Sequence, residues 1–432
     1  MKNSGVEWIG EIPEDWDIYR NKNAFICNKE IVGKNSNSTQ LLSLTTGGIK
    51  CKDINNAEGK LPESFDTYQY VKKNDVVMCL FDLDMSAVFS GISQYDGMIS
   101  PAYKVLSCQD RANPLFIHYW FSYIFDGRKF NHYAKNIRYT LNYNEFATLP
   151  ILLPPKSTQQ RIATYLDKKC SKIEETIQNQ QQVIEKLKAY KQSLITEAVT
   201  GKIKIQNGKA CGKYESYKES GVEYLGKIPL DWNIKRLRYI GKCQNGISKG
   251  GEFFGSGYPF VSYGDVYNNL VLPETVSGLI ESTHEEQENY SVKAGDIFFT
   301  RTSETIEEVG FTSVCLKTIK DATFAGFVIR VRPFTDELIP DYSKYYFSSD
   351  AHRRFFVKEM NLVTRASLSQ DLLKRLPVLI PSKEKQKEIA DYLDKKCTAI
   401  DTVIEHKQNL IEKLTEYKKS LIYECVTGKK EI

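Results

Sequence analysis

QQRIATYLDKKCSKIEETIQNQQQVIEKLKAYKQSLITEAVTG, residues 159–201, is written twice in this chain. Shifted by 227 positions it returns as QKEIADYLDKKCTAIDTVIEHKQNLIEKLTEYKKSLIYECVTG, residues 386–428, with about 25 of 43 positions identical. Identity at that level over that length marks an internal repeat. In the first copy Leu166, Ile173, Leu187 and Leu194 fall on one heptad line, and Ile162, Cys170, Ile177, Ile184 and Ala198 lie four residues off that register. Leu393, Ile400, Leu414 and Leu421 hold the same line in the second copy, flanked by Ile389, Cys397, Ile404, Ile411 and Cys425. A sustained apolar seam without Gly or Pro predicts one long helix per copy. At 1.5 Å rise per residue each would span roughly 60 Å. A rod of that length cannot bury its stripe on one small domain, so its natural partner is the matching stripe of the other copy. Gln180 and Lys407 interrupt the two seams, and a polar residue there fixes register at some cost in stability. Two equivalent units related by a twofold axis require the helices to run antiparallel.

The repeat reaches beyond the helices. SGVEWIGEIPEDW at residues 4–16 returns as SGVEYLGKIPLDW at 220–232, and LPILLP at 149–154 returns as LPVLIP at 376–381. The order is therefore a first globular domain (1–156), a first long helix (157–201), a linker (202–219), a second globular domain (220–381) and a second long helix (382–428). Within the first domain, residues 39–44, 75–81 and 102–106 read as short strands bounded by turn residues, and 115–133 carries aromatics at helical spacing. In the second domain 258–266, 296–300 and 327–331 read as strands and 342–356 as the aromatic helix. The linker is polar with two glycines and reads as an exposed connection. The fold class expected is α+β: two repeated globular domains separated by a pair of long antiparallel coiled-coil helices with pseudo-twofold symmetry.

At 432 residues, 41% hydrophobic and 26% charged, the chain can build ordinary globular cores. A formal charge of +5 is compatible with nucleic acid but too small to argue for it. The ten cysteines include no Cys-x-x-Cys pair and suit a reducing compartment. No apolar signal core opens the chain and no run of about 18 apolar residues occurs, which points to a cytoplasmic protein without a membrane segment. Phosphate-loop, dinucleotide-binding, H-E-x-x-H and G-x-S-x-G signatures are missing, as is the Asn/Asp-Pro-Pro-aromatic tetrad of an amine methyltransferase. The five histidines are dispersed, so the expectation is no metal, no cofactor and no catalytic residue in this chain.

The paired SGVEWIGEIPEDW / SGVEYLGKIPLDW motifs, the LPxLxP segments leading into QQRIATYLDKK and QKEIADYLDKK, and the Val-Thr-Gly that closes each helix together resemble the specificity subunit of type I restriction-modification enzymes, across essentially the whole chain. The resemblance implies that each globular half is a target recognition domain reading one part of a split double-stranded DNA sequence. It also implies that the helices act as spacer and docking platform for two methyltransferase (modification) subunits, with restriction/translocase subunits joining separately. S-adenosylmethionine, ATP and Mg would then belong to those partner subunits. The competing reading is a coiled-coil scaffold with protein-binding globular ends.

Base edges and phosphates require polar and basic groups where strands hand over to loops. In the second domain those places are Ser248 and Lys249, then Arg301, Thr302, Ser303 and Glu304, then Thr364 and Arg365, with Arg301 and Arg365 the candidates for guanine. In the first they are Lys34 and Asn35, Thr45 and Thr46, Asp82 and Asp84, and Arg138 with Tyr139. Where the second domain offers Arg301 and Glu304, the first offers Leu80, Leu83 and acids, so an asymmetric target is expected. The exposed helix faces, with Lys168, Lys169, Glu185 and Lys186 and their counterparts Lys395, Lys396, Glu412 and Lys413, are the candidate partner surface.

Overall fold

The computed structural model describes residues 1–53, 62–134, 139–303, 309–359 and 366–432. The chain divides into two compact units, residues 1–181 with 408–432, and residues 182–407. Each unit therefore holds one globular domain, the beginning of one long helix and the end of the other.

In the first unit a four-stranded antiparallel sheet is built from β1 (Phe25–Asn28), β2 (Val76–Met78), β3 (Ser90–Ile92) and β4 (Lys104–Cys108), in the order β1-β4-β2-β3. Leu106 faces Cys27 on one side and Val76 on the other, which fixes the register. Helix α1 (Pro114–Asp126) starts where Asn113 accepts the Phe116 N–H and Pro114 presets the first turn. Its buried Phe116, Trp120 and Phe121 join Phe25 and Phe146 in the core. The strand pair Asp17–Arg20 with Pro150–Leu153 then delivers the chain to α2 (Lys156–Val199).

The second unit repeats this plan. Its sheet comprises β5 (Gly241–Asn245), β6 (Ile297–Thr300), β7 (Thr312–Val314) and β8 (Val328–Pro333), in the order β5-β8-β6-β7, followed by α3 (Pro340–Ser348) and α4 (Lys383–Val426). Three local expectations are corrected. Residues 258–266 are strand only as far as Val261; Ser262 and Asp265 form a capping box that turns Tyr263–Asn268 into a helix. The aromatic stretch 342–356 is broken at Ser349, so α3 is followed by a separate helix, Asp350–Glu359. The linker is not an open connection. Asn207 and Gly208, both at positive φ, turn a hairpin between Ile205–Gln206 and Lys209–Ala210. Ile205 is buried, and the hairpin is tied to α4 by Lys385 Nζ on the Ile205 carbonyl and by the Asn207 N–H on Glu388.

Within each unit the two helices pair antiparallel. Lys418 meets Glu174 at 2.5 Å in the first and Lys191 meets Asp401 at 2.6 Å in the second. A step of 17 along α2, from Glu174 to Lys191, is matched by 17 back along α4, so one register serves both. The seam is not uniformly sealed. Leu166, Ile173, Ile184, Leu194, Leu393, Ile404 and Leu421 are buried, whereas Ile177, Leu187, Ile400, Ile411 and Leu414 are half-buried. The reason is local: the seam is sealed where a unit's globular core also covers the helices, as where Ile162, Leu166 and Cys170 meet both Phe116 and Leu421.

Two repeated features lock helix to domain. Gln159 is fully buried at the start of α2, accepting from the Asn113 N–H and donating to the Arg111 and Pro154 carbonyls, all at 2.8 Å. Gln386 does the same at the start of α4 with Ile339, Glu337 and Pro381. At the other ends, Gly201 and Gly428 take φ of +71° and +73°, and a Cβ on either would lie 2.4 Å from the Cδ of Pro229 or Pro13. The duplicated Val-Thr-Gly is thus the seat of the duplicated Ile-Pro-x-Asp-Trp. In the first unit this closes the chain's last helix onto its opening motif.

Candidate nucleic-acid interface

In both domains the second strand of the sheet, on leaving its partners, meets the segment that precedes the long helix. In the second unit Thr302–Ser303 pairs with Ala366–Ser367. Arg301 is gripped by its backbone: its N–H donates to Phe327 O at 2.9 Å and its carbonyl accepts from Leu368 at 2.7 Å. Its guanidinium has no hydrogen-bond or ion-pair partner among the described residues. Tyr263 donates to Thr302 O at 2.9 Å and stacks on Tyr267. Phe327 stands beside Arg301 with 64% of its surface exposed. Arginine with an adjacent aromatic face is a pairing suited to base edges and base planes.

The first unit builds the same junction with other side chains. Leu80 O accepts from Leu141 N–H at 2.8 Å, Leu83 N–H donates to Tyr139 O at 3.3 Å, and the Asp82 N–H donates to Thr140 Oγ1 at 3.3 Å. Asp82 and Tyr139 face each other at φ +49° and +46°. Left-handed backbone is tolerated by aspartate but is strained for tyrosine, of order 1–3 kcal/mol. Strain that the surrounding bonds enforce at an exposed loop points to function. Arg128 donates to the Leu83 carbonyl, and Met85, at the tip of the turn closed on Asp82 O, is 82% exposed. Asp84 is half-buried beside it.

The structure thus gathers Arg301, Thr302 and Ser303 in one domain and Asp82, Asp84 and Tyr139 in the other. Arg138, Glu304, Thr364 and Arg365 lie outside the described residues. The remaining candidates sit elsewhere. Lys34 is exposed and Asn35 donates to Tyr70 on the short 3-10 helix Gly33–Ser38. Thr45 spends its hydroxyl on Gly48 O and Gly47 N–H in the hairpin turn, leaving Thr46 exposed at the tip. Lys249 is held by Glu286 at 2.7 Å and by the Glu281 carbonyl, and that bond keeps the Glu286 carboxyl below the usual range. Ser248 beside it is exposed. Tyr263 and Phe327 escaped the sequence reading because nothing in a strand pattern shows which aromatic will be left outside. Among the described residues no helix is long and apolar enough to cross a membrane.

The chain is thus a duplicated α+β protein with two chemically different junctions, one in each unit, and an antiparallel helix pair in each unit. A family profile described as the type I restriction modification DNA specificity domain matches residues 229–414. Residues 229–414 are thus similar to that specificity domain, and the curated relatives that the chain resembles are type I restriction enzyme specificity subunits. It is 25% identical over 273 residues to the type I restriction enzyme EcoKI specificity subunit of Escherichia coli K12, covering 62% of this chain and 55% of that one. It is 24% identical over 289 residues to the MjaVIII specificity subunit of Methanocaldococcus jannaschii, covering 66% and 63%. The chain spans about half the length of the first of these curated relatives. In fold it superposes on a chain solved in work on complex assembly and conformational transition of the type I system, with TM-score 0.71, 14% identity and coverage of 96% and 98%. The crystal structure of the HsdS subunit from Thermoanaerobacter tengcongensis gives TM-score 0.52 at 15% identity, covering all of both chains.

Proposed function

We infer that this chain is the non-catalytic DNA-recognition subunit of a cytoplasmic type I restriction-modification complex. Its two globular domains, residues 1–156 and 220–381, read the halves of an asymmetric bipartite target. The observation that carries this reading is the pair of junctions: they share the backbone bond from Leu141 N–H to Leu80 O and from Leu368 N–H to Arg301 O, with Arg301 in one domain where the other has Leu80, and Asp82 where the other has Ser303. An arginine there suits guanine O6 and N7, and an acid suits cytosine N4. Arg301, Thr302 and Ser303 are assigned to one half-site and Asp82, Asp84 and Tyr139 to the other. Arg138, Glu304, Thr364 and Arg365 flank these junctions in sequence.

The helix pair sets the spacing of the half-sites and docks two modification subunits through the repeated exposed groups Lys168, Lys169, Glu185 and Lys186 and Lys395, Lys396, Glu412 and Lys413. Restriction subunits join through those partners, which would bring S-adenosylmethionine, ATP and Mg. Methylome sequencing of cells carrying this chain with its methyltransferase tests the reading. A split asymmetric motif methylated on both strands is expected, and exchanging residues 1–156 should change only one half of it. A continuous motif, or none, would refute the assignment and favour a protein-binding scaffold.

A further inference from the structure

Resting on the DNA-reading function, the geometry points to an anion subsite in the first domain, made by Lys29 and Lys104, that seats one backbone phosphate and has no counterpart in the second domain. The antiparallel register pairs Val105 with Asn28; Lys104 and Lys29 are the next residues beyond that pair, and they line one cavity. Like charges close together across two strands destabilise a sheet. Among the described residues neither lysine has an acid within ion-pair distance. Both line a cavity of about 570 Å³ together with Gln69, Tyr143 and Asn144. The same cavity is lined by Leu80 and Thr140, so it opens beside the reading junction.

The second domain fills the equivalent place without charge. Its register puts Asn245 opposite Ile329, and Gln370 donates to Asn245 at 3.0 Å. One domain therefore carries two ammonium groups where the other carries Asn245, bonded by Gln370, opposite the apolar Ile329. A pair that costs stability in the free chain and is relieved by an anion is what a phosphate seat requires. Such a contact fixes the position of the first domain on the duplex without reading a base.

The test uses the full chain with its methyltransferase and a duplex carrying the target. Each lysine that neutralises a phosphate contributes about 0.9 to the slope of log K against log salt. Lys29→Gln with Lys104→Gln should lower that slope by about 1.8 and weaken binding at 0.15 M salt roughly ten- to thirty-fold, with base preference in both half-sites kept. Lys104→Gln alone should raise the melting temperature in phosphate-free buffer of low ionic strength, whereas a merely structural lysine would lower it. An unchanged slope overturns the subsite. So does a changed base preference, which would make the lysines readers. If inorganic phosphate raises the melting temperature of the parent but not of the double variant while the slope stays put, the seat takes a free anion and the backbone assignment falls. A parent that shows no preference among duplexes refutes the DNA-reading function itself, an outcome separate from these.

Discussion

Replacing Gln386 by leucine probes the joint between reader and spacer. The side chain is fully buried and satisfies three backbone groups: it accepts from Ile339 N–H at 2.9 Å and donates to Glu337 O at 2.7 Å and to Pro381 O at 2.9 Å. Leucine keeps most of the volume and removes all three bonds. A buried polar group left unpaired costs about 1–3 kcal/mol. Allowing for relaxation and water entry, the loss should be about 3–5 kcal/mol. With a urea dependence of about 2–3 kcal/mol per molar, the unfolding midpoint should fall by about 1–2 M. Gln159→Leu removes three 2.8 Å bonds in the first unit and should behave alike. In cells, each variant should impair methylation while leaving the identity of both half-sites unchanged, because these three bonds of each glutamine go to the joint and not to a junction residue. A midpoint that moves by less than about 0.3 M would refute the claim that these amides carry the joint.

Arg301→Ala should relax the preference at one position of the second half-site by about 1–3 kcal/mol and leave the first half-site alone, as read by binding to a panel of substituted duplexes. Gly428→Ala forces a side chain into a left-handed backbone and against Pro13; at about 1–2 kcal/mol for the conformation and about 1–3 for the overlap, thermal unfolding should register a loss of about 2–5 kcal/mol, and Gly201→Ala against Pro229 should match it. His352 is buried among Phe299, Phe347 and Phe356, and burial, with Arg353 next to it, pushes its pKa down to about 3. The unfolded chain binds that proton near pH 6.5, so the native state binds fewer protons between the two values. Stability is full above about pH 6.5 and is lost as pH falls towards 3. His352→Phe should flatten that part of the denaturation profile.

The helices were legible because a seven-residue seam is a long-range signal carried by composition alone, and two copies of it leave little freedom. Gln159 and Gln386 were visible only as repeated letters. Their role as clamps depends on carbonyls that come together in space. The hairpin in the linker had its signal in Asn207-Gly208, which the polarity of the surrounding residues outweighed. Lys249 sits on a loop that looks like a phosphate contact, yet its partner Glu286 comes from a distant helix that sequence does not place beside it. Lys29 and Lys104 were missed for the converse reason: they become neighbours only through the strand register.

The two junctions share a backbone bond and differ in side chain. Leu141 N–H to Leu80 O and Leu368 N–H to Arg301 O are the same bond in the two domains, at 2.8 and 2.7 Å, and both are made by backbone alone. Backbone bonding is indifferent to the side chain, so the same bond is kept with Leu80 buried in the core of one domain and Arg301 half-buried in the other. At the joints the opposite holds. The amide of Gln159 or Gln386 and the missing Cβ of Gly201 or Gly428 are themselves the contact, and no other side chain supplies three matched hydrogen bonds or fits against the proline. A duplicated chain under these rules keeps its joints and is free to diverge where strands hand over to loops, which is the distribution of identity and difference found between its halves.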